Sequence, residues 1–557
     1  MPRKVAGEAP AINQVMYDSA QLSLNWVGTG TQFTVILANG AGQPFDYPAT
    51  GFSAIIDRDL TQGGPWIVTV KDSSGFSSQP APIITTSVTA SLVENTGNGL
   101  SAGWNTATGY TTYYAQLSKP GYNNGQFVTG SSYTFDVPLT GTGWQFLVRI
   151  YVNTGGIVGP QGKSYGPASP VYVPILIQPQ FETVDYDGVD VSLIWLPVTG
   201  YKYLARLLQP PTTSILQSTQ STSYDFPGTL SGSGWQTNVS LQSLDGILIG
   251  PPSTTYPIIQ AVPQMVAVNY IIDQLLAQWQ PLSQYSYYAV SLYTQGDSQT
   301  VFVQASQYVF PGSLTGTGWK CTARAASIDK VSVGPGAGPY PVILNQPSLN
   351  ELDYDAATLS VTLTDATDPG ITGNLLQLSN AAGSQSFPLG TGQNQNVNVD
   401  LSANPVYTAM LRATSANGIV LGPWSTALVG VSASPANLYL GLSGQTLAAV
   451  WLAMTQQQVT GYLAALSMNG SLVATLPATG NSVSFTQGLT QGAVFSLQVR
   501  ATGSNIKGPW TPAVPGPFAA AWSFAYDAWG RIKTLTWNGN QQQQWTYDNA
   551  GNVLSGS

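Results

Sequence analysis

The chain has 557 residues, 43% of them apolar, with 59 glycines and 38 prolines, and its 17 Lys and Arg against 25 Asp and Glu leave a net charge of −8. A negative chain with no basic run excludes nucleic acid as a partner, which needs clustered cations to displace counterions. The lack of any histidine excludes Ser-His-Asp and Cys-His catalysis and His-ligated zinc, and the single Cys321 excludes an intrachain disulfide or a thiolate metal site.

The N-terminus, Met1-Pro-Arg-Lys4, is followed by no apolar h-region, so no Sec-type signal is expected there. No later apolar stretch approaches the roughly 20 residues of a membrane helix. From residue 9 onward one pattern dominates. Trp26 and Trp66, Trp104 and Trp144, Trp195 and Trp235, and Trp279 and Trp319 are each 40 residues apart, and successive pairs follow at intervals of 78, 91 and 84. Leu363 and Tyr407, then Trp451 and Phe495, repeat the pattern at a spacing of 44. A fixed internal spacing on so long a period means one folding unit copied in line, here six times.

The first member of each pair lies in an alternating strand, as in Leu22-Ser-Leu-Asn-Trp26 and Val191-Ser-Leu-Ile-Trp195. Nine residues before it stand Tyr17, Tyr186, Tyr270 and Tyr354, three of them followed by Asp18, Asp187 and Asp355. An acid repeated in register reads as a turn residue; Asp185 with Asp187, or Asp353 with Asp355, falls short of the six to eight oxygens calcium takes. The second member opens another strand: Trp66-Ile-Val-Thr-Val-Lys71, Trp144-Gln-Phe-Leu-Val-Arg149, Trp319-Lys-Cys-Thr-Ala-Arg324, Tyr407-Thr-Ala-Met-Leu-Arg412 and Phe495-Ser-Leu-Gln-Val-Arg500. Cys321 sits there as a small buried hydrophobe. The glycines ahead of these strands (Gly141 and Gly143, Gly232 and Gly234, Gly316 and Gly318) are turn residues rather than a phosphate loop, since no Gly-Lys-Ser/Thr and no helix follows. A Gly-Pro step comes next, at Gly159-Pro160, Gly250-Pro251, Gly334-Pro335, Gly422-Pro423 and Gly508-Pro509, where the chain is expected to leave one strand for the next.

Ser132-Tyr-Thr-Phe-Asp-Val-Pro-Leu139, Trp144 to Arg149 and Gly156 to Pro160 together resemble the fibronectin type III family of immunoglobulin-like sandwiches. The resemblance runs from about residue 9 to 517. It implies an all-β chain: a linear array of six two-sheet sandwiches plus a short C-terminal β-hairpin segment, and no chemistry of its own. The expected domains are 1–86, 87–177, 178–261, 262–345, 346–434 and 435–517, with a tail at 518–557. Four repeats carry Trp where the family has Tyr at the start of strand F, so the family's tyrosine-corner hydrogen bond is not carried over to them. The junctions Tyr172–Pro179, Tyr256–Pro263 and Tyr340–Pro347 are near-copies with proline and apolar residues and no flexible linker. They predict a semi-rigid rod of roughly 30–40 Å per repeat, on the order of 200 Å in all.

In the tail, Tyr526-Asp527-x-x-Gly530-Arg531-Ile532 recurs 21 residues later as Tyr547-Asp548-x-x-Gly551-Asn552-Val553. This resembles the YD repeat of the RHS family of bacterial surface and toxin proteins. Under two repeats are present, too few for the closed shell that long arrays of the family build. A short hairpin is marginal in water, and Trp522, Phe524, Tyr526, Trp529, Trp537, Trp545 and Tyr547 would leave aromatic surface needing a cover. These seven are the expected assembly or partner contacts, docking on another subunit or folding back on residues 435–517.

The sequence therefore reads as a non-enzymatic surface protein, bacterial or phage-borne, extracellular or virion-associated, with no cofactor and no membrane span. The leading function is a structural fibre or appendage subunit that self-associates head to tail or joins another surface protein. An adhesin that binds glycans and an RHS-type toxin-complex component are the alternatives.

Overall fold

Alternation in the sequence becomes alternation of burial. Along Gln21–Val27, Leu22, Leu24 and Trp26 face the core while Gln21, Ser23 and Asn25 are half-buried, the period-two geometry of a strand covered on one face. The computed structural model describes residues 8–556 except 41, 154–161, 212, 416–417, 444, 488, 491–492, 517–521, 530, 538–539 and 548–552. It is all-β, a tandem array of β-sandwich repeats of the fibronectin type III kind. Among the described residues no helix is long and apolar enough to cross a membrane.

Each repeat contributes strands A, B and E to one layer and C, C′, F and G to the other. In the first repeat these are Ala11–Tyr17, Gln21–Val27 and Ser53–Asp57 against Gln32–Asn39, Phe45–Thr50, Trp66–Asp72 and Ala81–Ile83. The layers enclose six separate apolar cores among the described residues, one per repeat.

The chain divides into two compact units, Met1–Val262 with Ala325–Pro335, and Pro263–Arg324 with Gly336–Ser557. Within the first, strands C′, C, F and G of the second repeat (Tyr122–Thr129, Thr112–Lys119, Gln145–Asn153, Lys163–Tyr165) continue into A, B and E of the first as one seven-stranded sheet. The second and third repeats are joined in the same way, with Ala90–Asn95 beside Leu248–Ile249. Strand A of the third repeat, Phe181–Tyr186, pairs through Val184 and Asp185 with Ser332 and Val333. Within the second unit, Met265–Ile271 pairs with Val420–Trp424, and Ser348–Tyr354 with Ile506–Lys507. Strands A, B and E of the sixth repeat (Ala436–Ser443, Thr446–Leu452, Ser482–Phe485) form a sheet of three with A on its edge.

The C-terminal segment runs to four antiparallel strands in meander order: Trp522–Tyr526, Ile532–Trp537, Asn540–Tyr547 and Val553–Gly556.

The phase-locked aromatics have distinct local duties. The strand-B tryptophans Trp26, Trp104, Trp195, Trp279 and Trp451 are at most 3% exposed. Among the described residues their indole N–H groups find no acceptor. The strand-F tryptophans Trp66, Trp144, Trp235 and Trp319 each donate an indole N–H to the carbonyl four residues earlier, at 2.8–3.0 Å. Tyr407, which does open strand F, is buried, and its hydroxyl has no partner among the described residues.

Candidate assembly surfaces

A strand edge exposes a row of unpaired N–H and C=O groups, and the repeats close most of their strand-A edges on one another. The register is the same at five joints. Val15, Val93, Val184, Val268 and Leu352 lie opposite Ser164, Leu248, Ser332, Val420 and Ile506, always in parallel. At four joints the strand-A N–H donates to the carbonyl before the facing residue: Val93 to Ile247, Val184 to Val331, Val268 to Ile419 and Leu352 to Asn505, at 2.8–3.0 Å. The five strand-A side chains are 0–1% exposed. Val420 and Ile506 are members of the cores of the repeats they dock on, the fourth and fifth. Burying one such side chain contributes roughly 1.5–3 kcal/mol, so each of these cores is completed from the following repeat.

All five facing segments end in Gly-Pro: Ser164-Tyr165-Gly166-Pro167, Leu248-Ile249-Gly250-Pro251, Ser332-Val333-Gly334-Pro335, Val420-Leu421-Gly422-Pro423 and Ile506-Lys507-Gly508-Pro509. At four of the five the glycine is a packing requirement. A Cβ on Gly166, Gly250, Gly334 or Gly422 would lie 2.4–2.7 Å from Cγ2 of Ile84, Ile175, Ile259 or Ile343, the isoleucines of the junctions. Four of the five Gly-Pro steps read from the sequence stand at these joints. In the second repeat the place is taken by Gly166-Pro167, and Gly159-Pro160 lies outside the described residues. The junctions bury Ile175, Ile258, Ile259, Val342 and Ile343 but leave Val173 and Ile177 exposed.

Scarce charges gather at the joints. Arg206 on strand C of the third repeat pairs with Glu94 on strand A of the second at 2.6 Å. Arg500 pairs with Asp353, and Lys507 with Glu351. An arginine of strand F also holds the Gly-Pro step: Arg149 donates to the Gly166 carbonyl at 3.3 Å and Arg500 Nε to the Gly508 carbonyl at 2.9 Å. In the third repeat Ser240 occupies that strand-F position and Arg206 does the pairing.

The repeated tyrosines and aspartates are structural. The hydroxyls of Tyr17, Tyr186, Tyr270 and Tyr354 donate to the carbonyls of Ser19, Gly188, Ile272 and Ala356. They accept from the N–H groups of Leu60, Leu230, Leu314 and Leu401. Each tyrosine thus ties the A–B turn to the loop before strand F. Asp18, Asp187 and Asp355 accept two backbone N–H groups apiece within that turn.

Of the seven tail aromatics, Trp529 is 76% and Tyr526 57% exposed. Trp545 and Tyr547 are half-buried. The Tyr547 hydroxyl donates to the Ile532 carbonyl at 2.6 Å, and the Arg531 guanidinium lies 4.2 Å from its ring centroid and 5.1 Å from that of Trp529. The side chains of Trp522, Phe524 and Trp537 lie outside the described residues, although their backbones are in strands. Asp527 caps the first turn: it accepts the N–H groups of Trp529 and Arg531 and pairs with the Arg531 Nε at 2.6 Å. These bonds favour the ionised carboxylate, and the pKa of Asp527 is lowered despite its partial desolvation.

No protein-family model matches the chain, and no curated protein matches it. Among solved structures, the chicken CNTN1 FN1-FN3 domains align at 14% identity with a TM-score of 0.20, over 45% of this chain and 98% of that one. The central fibronectin-III array of RIM-binding protein aligns at 13% identity with a TM-score of 0.14, over 46% of this chain and 99% of that one.

Proposed function

We propose that the chain is a non-enzymatic structural subunit of an extracellular fibre or surface appendage, with the segment 518–557 docking on a neighbouring subunit. The observation that carries this reading is the tail sheet, where Trp529 and Tyr526 stand exposed beside the edge strand Trp522–Tyr526. Exposed aromatics at a sheet edge suit strand addition, in which backbone bonds supply affinity and alternate side chains fill pockets. The six sandwiches, with the boundaries set out above, act as spacer and scaffold.

The test is electron microscopy of the full chain beside a chain lacking 518–557. Fibres formed by the first and lost in the second are expected; single particles from the full chain at high concentration would overturn the reading. The adhesin alternative rests on the same exposed Trp529 and Tyr526, since aromatic faces stack on sugar rings. Saturable binding in a glycan screen, lost in Trp529→Ala, would favour it. Killing of target cells by the purified chain would instead favour the toxin-complex alternative.

A further inference from the structure

We propose that strand A of the sixth repeat is a docking site for the G strand of a fibronectin type III-like repeat carried by a separate protein. This surface is distinct from the tail and does not depend on the tail's role.

Leu440 holds the same register in its sheet as the five paired residues. It lies opposite Ala449, as Val268 lies opposite Ala277 and Leu352 opposite Val361. Each of those five carries a parallel partner on its other side, and among the described residues Ala436–Ser443 carries none. Their side chains are 0–1% exposed, whereas Leu440 is only half-buried. The sixth core is correspondingly self-contained: all its members lie between Leu438 and Ala501, whereas Val420 and Ile506 complete the two preceding cores. Free edges are ordinarily guarded by charge or proline. Ala436-Asn-Leu-Tyr-Leu-Gly-Leu-Ser443 has neither, and Tyr439 on it is 69% exposed.

The five joints define the occupant. It is a segment reading Ser, Leu, Val or Ile, then any residue, then Gly-Pro, running parallel to strand A with its first residue opposite Leu440. Gly441 stands where Glu94 and Asp353 recruit Arg206 and Arg500, so the partner needs no arginine facing this strand. The first repeat of a second copy is a poor donor. Its F–G turn is tight, with the Asp72 N–H bonded to the Phe76 carbonyl, and Ser73-Ser74-Gly75-Phe76 lacks the Gly-Pro. Every other copy of the motif among the described residues is already paired. A separate protein is therefore the fitting source.

The experiment is amide hydrogen exchange on the full chain, with a synthetic peptide of residues 503–512 as probe, the segment that fills the equivalent edge of the fifth repeat. The Leu440 amide is expected to exchange fast in the free chain while those of Val93, Val268 and Leu352 exchange slowly. Saturating peptide should slow Leu440 at least tenfold, and an Ile506→Asp peptide, which puts a charge at the residue that faces strand A, should not. Leu440→Pro, which removes the outward N–H, should abolish peptide binding while the Val268 amide stays protected, the sign that the chain is still folded. Three outcomes overturn the proposal: no protection by the peptide, protection of Leu440 already present in dilute free chain, or protection that depends on chain concentration. The second would make another part of this chain the occupant, and the third a second copy.

Discussion

Tyr186 concentrates two bonds in one hydroxyl, donating to Gly188 and accepting from Leu230. Tyr186→Phe leaves the Leu230 N–H without its acceptor, and a loss of about 1–3 kcal/mol is expected in the denaturant midpoint. Burial governs the ionisable side chains of the cores. It pushes the Cys321 thiol up to about 12, and only a thiolate reacts. Thiol reagents should therefore miss the native chain and label Cys321 once denaturant unfolds it. Burial also pushes the Tyr165 phenol up to about 12 and raises that of Tyr407. A raised phenol pKa in the folded state contributes stability that is intact below the ordinary tyrosine value. That contribution is lost as pH climbs from about 10 through the folded-state value. The denaturant midpoint should fall across that window, and Tyr407→Phe should flatten the fall.

At the scale of the strand, the fold was largely legible because its signals are local. The 40-residue tryptophan spacing fixes strands B and F, and alternation around Trp26 and Trp195 gives the buried face directly. The joints were not legible. Val15 and Ser164 are about 150 residues apart and meet over two or three residues, too short a stretch to show a period. Serine at 164 and 332 breaks the apolar pattern that Val420 and Ile506 keep. The second repeat also offers two Gly-Pro steps, and the segment that pairs with the first repeat is the one ending in Gly166-Pro167. A usable signal did exist: the same Gly-Pro after the F strand of the second to sixth repeats, with an isoleucine in four of the preceding junctions. Of the tail aromatics whose side chains are described, Trp529 and Tyr526 are exposed and Trp545 and Tyr547 half-buried. Tyr547 instead bonds Ile532 and carries Arg531 on its ring. Gly422→Ala would press a methyl onto Ile343, a kind of overpacking that costs about 1–3 kcal/mol. Faster exchange at the Val268 amide, in the repeat before it, is the expected readout.

For the molecule as a whole, joints of this kind make stability a nearest-neighbour sum, as in repeat proteins. Leu352 is fully buried and faces Ile506 of the next repeat. Leu352→Ala should cost about 2–5 kcal/mol. It should also raise exchange in the sixth repeat as well as the fifth; a loss confined to the fifth would mean that the joint carries no coupling.

The direction of the joints matters for a chain that emerges from the ribosome one end first. Strand A of each paired repeat waits for a partner about 150 residues downstream. At ordinary synthesis speeds that wait is on the order of 10–30 s. For that interval every newly made sandwich carries an open edge like the one the sixth repeat keeps, and nascent chains crowded on one messenger could pair across to each other. The order of synthesis, as much as the sequence of any one repeat, then decides which edges meet.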